Sequence, residues 1–219
     1  MTLTKNQILY IESVIKTSLK DKFLNYKPES KNMPFHYRLL GKDRMALYSF
    51  IHSLNTKFGT SIFEEVAVAL AKQRFKDAKR SAIAGTQISE EAHKVIQTIM
   101  DDLITGNKEP NKAEEIEAIR KVCQKGKMNI VKPTEVDVLV VSQDDSIFLF
   151  DIKTVKPNRG GFKEFKRTLL EWVAAFFAQN PDAKINTCLA IPYNPYEPKP
   201  YERWTMKGMF MGVRLINQQ

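Results

Sequence analysis

Cysteine is scarce in this sequence: Cys123 and Cys188 are the only two among 219 residues, and neither belongs to a CxxC pair. That excludes a disulfide framework or a thiolate metal cluster and fits two reduced, buried thiols. The three histidines, His36, His52 and His93, share no ligand spacing, and HxxxH, GxSxG and Walker patterns are all missing. These absences argue against a zinc enzyme, a serine hydrolase and an NTPase. No apolar run reaches membrane-spanning length, and the stretch from Met1 to Gln7 lacks a signal-peptide pattern. The expectation is a cytoplasmic protein with no membrane partner. Repeats and low-complexity tracts are lacking too.

What is present is a full apolar complement and a surplus of positive charge. Hydrophobic residues make up 43% of the chain, enough for a core without staples. The net charge of +9 points to a polyanionic partner, nucleic acid first; the plainer alternative is a generally basic soluble protein. The length suits one domain over 1–219, with a mostly helical region at 1–127, a sheet core at 128–192 and a Pro/Tyr-rich loop with a C-terminal segment at 193–219.

Local signals set out the elements. Thr4 with Gln7 forms a capping box for a helix to about Leu24, lined by Ile8, Ile11, Ile15 and Leu19. A loop with Pro28 and Pro34 follows, then helices at 43–58 (stopped by Gly59), 62–79 (Ser61 as candidate cap), 89–105 (stopped by Gly106) and from Asn111 to before Gly126. Two strands come next, Pro133 to Val141 and Ile147 to Lys153, then a helix at 162–178, a strand at 185–191 and a short apolar terminus. The order of helices, strands, helix and strand predicts a layered mixed α/β (α+β) fold with a central mixed sheet.

The strand pair carries the chemistry. Asp137 interrupts Val136, Val138, Leu139, Val140 and Val141, and Asp151 directly follows Ile147-Phe148-Leu149-Phe150. A buried strand has little reason to hold an acid unless that acid binds something. Acid-x-Lys triplets occur six times in this lysine-rich chain, so strand context singles out Asp151-Ile152-Lys153. Side chains alternate along a strand, so Asp151 and Lys153 share a face. If Ser142 pairs with Ser146, Asp137 falls opposite Asp151 on that face, with Cβ atoms roughly 5 Å apart; a one-residue slip would destroy the arrangement. Two carboxylates that close repel unless a cation lies between them. Hard divalent cations take oxygen ligands and magnesium retains waters, so Asp137, Asp151 and the Ile152 carbonyl form a candidate Mg2+ site, with Lys153 beside the attacking water. The fitting reaction is phosphodiester hydrolysis; the plain alternative is a solvated pair of acids with Lys153 as salt-bridge partner.

Pro133, Asp137 and Asp151-Ile152-Lys153 together resemble the PD-(D/E)XK nuclease superfamily. That resemblance implies an α-β-β-β-α-β core, in which Asn129 to Val131 is the candidate first strand. It also implies an acid on the first core helix, either Glu64 or Glu65; Glu64 is equally explained as a capping-box partner of Ser61, and Glu65 borders the Ile62, Val66 and Ala69 stripe. Glu135, two before Asp137, is a further candidate for a second metal. The segments from Asp151 to Gly161, around Phe165-Lys166-Arg167, and from Ile191 to Pro198 are similar to small type II restriction endonucleases, and within them to a group that cuts GGNCC-type sites. This implies site-specific cleavage of double-stranded DNA, a homodimer matching a palindromic site, and a DNA methyltransferase as functional partner.

For DNA contacts, Lys156, Arg159, Lys163 and Arg167 flank the site around Gly160-Gly161 and suit phosphates; a solvated helix flank explains them equally. Tyr196 and Arg203 lie in the Pro/Tyr-rich loop, where aromatics with basic neighbours stack bases or simply pack as a rigid surface loop. The competing functions are a repair or recombination nuclease that reads structure, and a DNA-binding module without catalysis.

Overall fold

In a computed structural model the described residues are 3–27, 34–132, 135–153 and 158–210, without the side chains of residues 60 and 61. The chain divides into two compact units, 1–73 and 74–219.

The first unit is helical. Helix α1 (Lys5–Asn25) starts at the expected capping box: the Thr4 side chain accepts from the Gln7 N–H and the Gln7 side chain accepts from the Thr4 N–H. Pro34, read as part of a loop, instead opens a short helix, α2 (Pro34–Leu40); proline suits a first turn because its missing N–H would have no partner there. Helix α3 (Lys42–Lys57) does not stop at Gly59. It passes through a π-turn at Phe58–Ile62 into α4 (Phe63–Ala71). With no helix beginning at Ser61, the capping-box explanation of Glu64 lapses.

The second unit holds the sheet. Its first strand, β1 (Asp77–Ile83), begins within the end of the helix expected over 62–79 and continues beyond it. Strand β2 (Gln87–Ser89) leads into α5 (Glu90–Thr105), capped by the Ser89 hydroxyl and closed by Gly106 at φ +75°. Helix α6 (Lys112–Arg120) is capped by Asn111. Then come β3 (Met128–Ile130), β4 (Glu135–Val141), β5 (Ile147–Ile152), α7 (Arg159–Gln179) and β6 (Ile185–Ala190). A four-stranded mixed sheet has the order β1-β4-β5-β6, antiparallel except for the parallel β5-β6 pair. The expected first core strand around Asn129 is therefore corrected: β3 pairs with β2 in a separate ribbon, and β1 takes the core position beside β4. In chain order α4-β1-β4-β5-α7-β6 reproduces the α-β-β-β-α-β succession of a restriction-endonuclease-like fold. No helix among the described residues is long and apolar enough to cross a membrane.

Helix α7 is the centre of the second unit. Phe162, Leu169, Leu170, Trp172, Val173, Ala174, Ala175 and Phe177 are all buried. It packs against α5, α6, β2 and β6. Gly85 sits where the chain crosses α7: a Cβ there would lie 2.4 Å from the Ala175 carbonyl oxygen. Backbone cannot retreat as a flexible side chain can, so Gly85→Ala is expected to destabilise the fold by about 3 kcal/mol, an overpacking cost, read as a lowered urea midpoint with unchanged m-value.

Candidate active site

The expected register holds. The Ser142 N–H donates to the Ser146 carbonyl, and Val138 pairs with Phe150 and Val141 with Ile147, a register that continues to Asp137 opposite Asp151. The ladder between β4 and β5 ends at Val138-Phe150, whereas β5 stays paired to β6 as far as Ile152-Ala190. The sheet therefore opens between β4 and β5 at the acids. Across that gap the Asp137 Oδ2 accepts from the Ile152 backbone N–H at 2.6 Å, a side chain replacing a ladder bond.

Lys153 closes the group. Its Nζ lies 2.5 Å from Asp151 Oδ1 and 4.0 Å from Asp137 Oδ2. Asp151 is 4% exposed. Burial, helped by the neighbouring Asp137 carboxylate and opposed by Lys153, raises its pKa to about 6 from an ordinary 3.8. A raised carboxyl pKa has a definite stability consequence. Between those values the folded state keeps a proton that the unfolded state has released, so this group's contribution is intact below pH 4 and falls as pH rises towards 6. With EDTA present, Asp151→Asn is expected to gain on the order of 3 kcal/mol over the wild type between pH 4 and pH 7.5; urea unfolding of both proteins at the two pH values checks it.

The donor set fits a hard divalent cation. Two carboxylates on one face each have one oxygen engaged inside the site, Asp137 Oδ2 by a backbone N–H and Asp151 Oδ1 by Lys153. Their mutual repulsion is what such an ion relieves, and oxygen donors with retained waters suit magnesium. Among the described residues no group of three or more His, Cys, Asp or Glu side chains forms a metal cluster. Glu64 is buried on α4 and Glu65 is half-buried, both in the first unit. Glu135 is exposed at the start of β4, in register with Ile83 of β1.

The basic candidates differ in their surroundings. Arg159 is exposed at the first turn of α7, and Lys163 is half-buried one turn on. Arg167 donates to Gln97 Oε1 at 3.0 Å. Lys156 lies outside the described residues. Arg203 donates to the Tyr196 hydroxyl at 3.1 Å, and Tyr196 packs on buried Tyr201, an arrangement that suits the rigid-loop alternative. Cys123 and Cys188 are both free thiols.

Sequence reasoning missed one ionic element. Lys166 on α7 and Glu115 on α6 form a buried pair at 2.5 Å, with burial lowering the lysine pKa. The signal was available: Lys166 is four after Phe162 and three before Leu169, on the helix face that those two apolar residues mark.

A family model described as type II restriction endonuclease, HinfI, matches residues 3–216. The chain is 29% identical over 218 residues to the type II restriction enzyme MjaII of Methanocaldococcus jannaschii, covering 90% of this chain and 56% of that protein. It is 29% identical over 167 residues to the type II restriction enzyme HgiCII of Herpetosiphon aurantiacus, covering 74% of this chain and 59% of that one. A second protein from that organism, the type II restriction enzyme HgiEI, is 27% identical over the same length. The chain thus spans 56 to 59% of the length of these curated relatives. No solved structure matches it.

Proposed function

Because the chain belongs to the HinfI family of type II restriction endonucleases, we propose that it hydrolyses phosphodiester bonds of double-stranded DNA at a specific short sequence, with Mg2+ as cofactor. The observation that carries the reading is the opening between β4 and β5, where Asp137, Asp151 and Lys153 converge within 4.0 Å.

Asp137, Asp151 and the carbonyl of Ile152 would hold the ion, and Glu64 or Glu65 would be the supporting acid that the family resemblance implies. When bound, the ion would supply Lewis-acid polarisation of the phosphate and a nucleophilic water near neutral pH. The remaining work falls to the chain's own groups. Asp137, fixed by the Ile152 N–H, holds its carboxylate in one orientation. Lys153 directs its ammonium at the water and at the developing negative charge of the phosphate. Arg159, Lys163 and Arg167, together with Lys156, follow the DNA backbone and set affinity without reading sequence. Tyr196 and Arg203 are candidates for contacts from the loop after β6.

The same reading includes a homodimer on a two-fold symmetric target, a target of the GGNCC type, a cytoplasmic setting, and a methyltransferase that protects the host site. The test is incubation with plasmid and phage DNA, with and without magnesium. Discrete magnesium-dependent fragments support the reading. Nicking or a smear would point to a structure-directed nuclease, and salt-sensitive binding without cleavage to a binding module.

A further inference from the structure

Lys153 has a third neighbour besides the two acids. Its Nζ lies 5.2 Å from the centroid of the Phe165 ring, within the range where an ammonium is held by the negative face of an aromatic. Phe165 is half-buried on α7, in its second turn. Its position is held by a neighbouring ring: Phe162 meets it edge-on with centroids 6.1 Å apart.

This contact matters because the other partners of Lys153 are not constant. Two of those neighbours, Asp151 and Asp137, attract the lysine by their charge. A divalent cation on those carboxylates cancels much of their pull and repels the ammonium directly. The ring is uncharged, so its attraction survives metal binding. We propose that Phe165 is a positioning residue for Lys153, keeping the ammonium over the opening between β4 and β5 when the acids are engaged by metal. The proposal rests on the nuclease reading of the site.

The experiment replaces Phe165 by mono-, di- and trifluorophenylalanine, which keep the shape of the ring and progressively weaken its negative face, alongside Phe165→Tyr and Phe165→Leu. Two quantities are measured. One is the single-turnover cleavage rate at saturating phage DNA. The other is the Hε/Cε NMR resonance of Lys153 in lysine-labelled protein, assigned with Lys153→Arg and recorded with and without magnesium. The expected result is a stepwise fall in rate along the fluorine series, reaching about tenfold in Phe165→Leu, with rescue by tyrosine. The apparent DNA affinity should be unchanged. The Lys153 resonance should show an upfield ring-current shift that persists in magnesium and disappears in the leucine variant. A rate independent of fluorination, or a Lys153 resonance without that shift, overturns the proposal. A wild type that cuts no DNA but retains the shift overturns the nuclease reading instead, leaving the contact without a catalytic role.

Discussion

Asp151→Asn is expected to lower DNA cleavage by about a hundredfold to a thousandfold while leaving DNA binding intact. The magnitude follows from removing one preorganised charge from a water-poor site, where each such group supplies about 10²–10³ in rate. Asp151 is the more sensitive of the two acids because it is buried and directly paired to Lys153 at 2.5 Å. Asparagine keeps its volume, so the change is one of charge. Asp137→Asn should behave alike, since the amide oxygen can still accept from the Ile152 N–H but supplies no charge. Binding to DNA without metal should hold or tighten in both variants, because a negative charge beside the phosphates has gone. Fragment formation and low-salt gel shifts on one set of proteins separate the two effects. Cleavage within tenfold of wild type in either variant would contradict these roles.

The second large effect is on stability. Lys166→Met is expected to destabilise the protein by about 3–5 kcal/mol, because it leaves the Glu115 carboxylate buried without its cation. The environment is already poor in partners: Glu115 Oε1 has no hydrogen bond, and a cavity of about 110 Å³ adjoins the pair between α6, α7 and β6. The double variant Lys166→Met, Glu115→Leu should recover most of the loss, since apolar groups of similar volume replace buried pairs at little cost. Urea unfolding of the two single variants and the double variant forms the cycle. Equal losses in the single and double variants would mean that packing, not charge pairing, sets the effect.

The site was legible in the sequence because its signals are local. Acids breaking β-branched runs, and a polar five-residue turn from Ser142 to Ser146, define strands and register together. Helix caps at Thr4, Ser89, Asn111 and Gly106 were likewise readable, because capping depends on neighbours a few residues away. Strand β1 was not. Asp77-Ala78-Lys79-Arg80-Ser81-Ala82-Ile83 has weak strand propensity, and Ser81 even takes a left-handed φ of 48°. Its extended state comes from pairing with β4, almost sixty residues later, a non-local contact that no window along the chain contains. The continuous path from α3 into α4 escaped for the opposite reason: Gly59 is a strong local stop signal, yet the π-turn carries the helix through it.

In the proposed function, Asp137 and Asp151 share a divalent cation in the opening between β4 and β5. Crystals of the wild type and of Asp151→Asn soaked in manganese, with anomalous differences measured at a wavelength where manganese scatters, test it most directly. The expected result is a peak about 2.1 Å from one carboxylate oxygen of each aspartate, lost in the variant. A peak elsewhere, or none at a manganese concentration that supports cleavage, would contradict it.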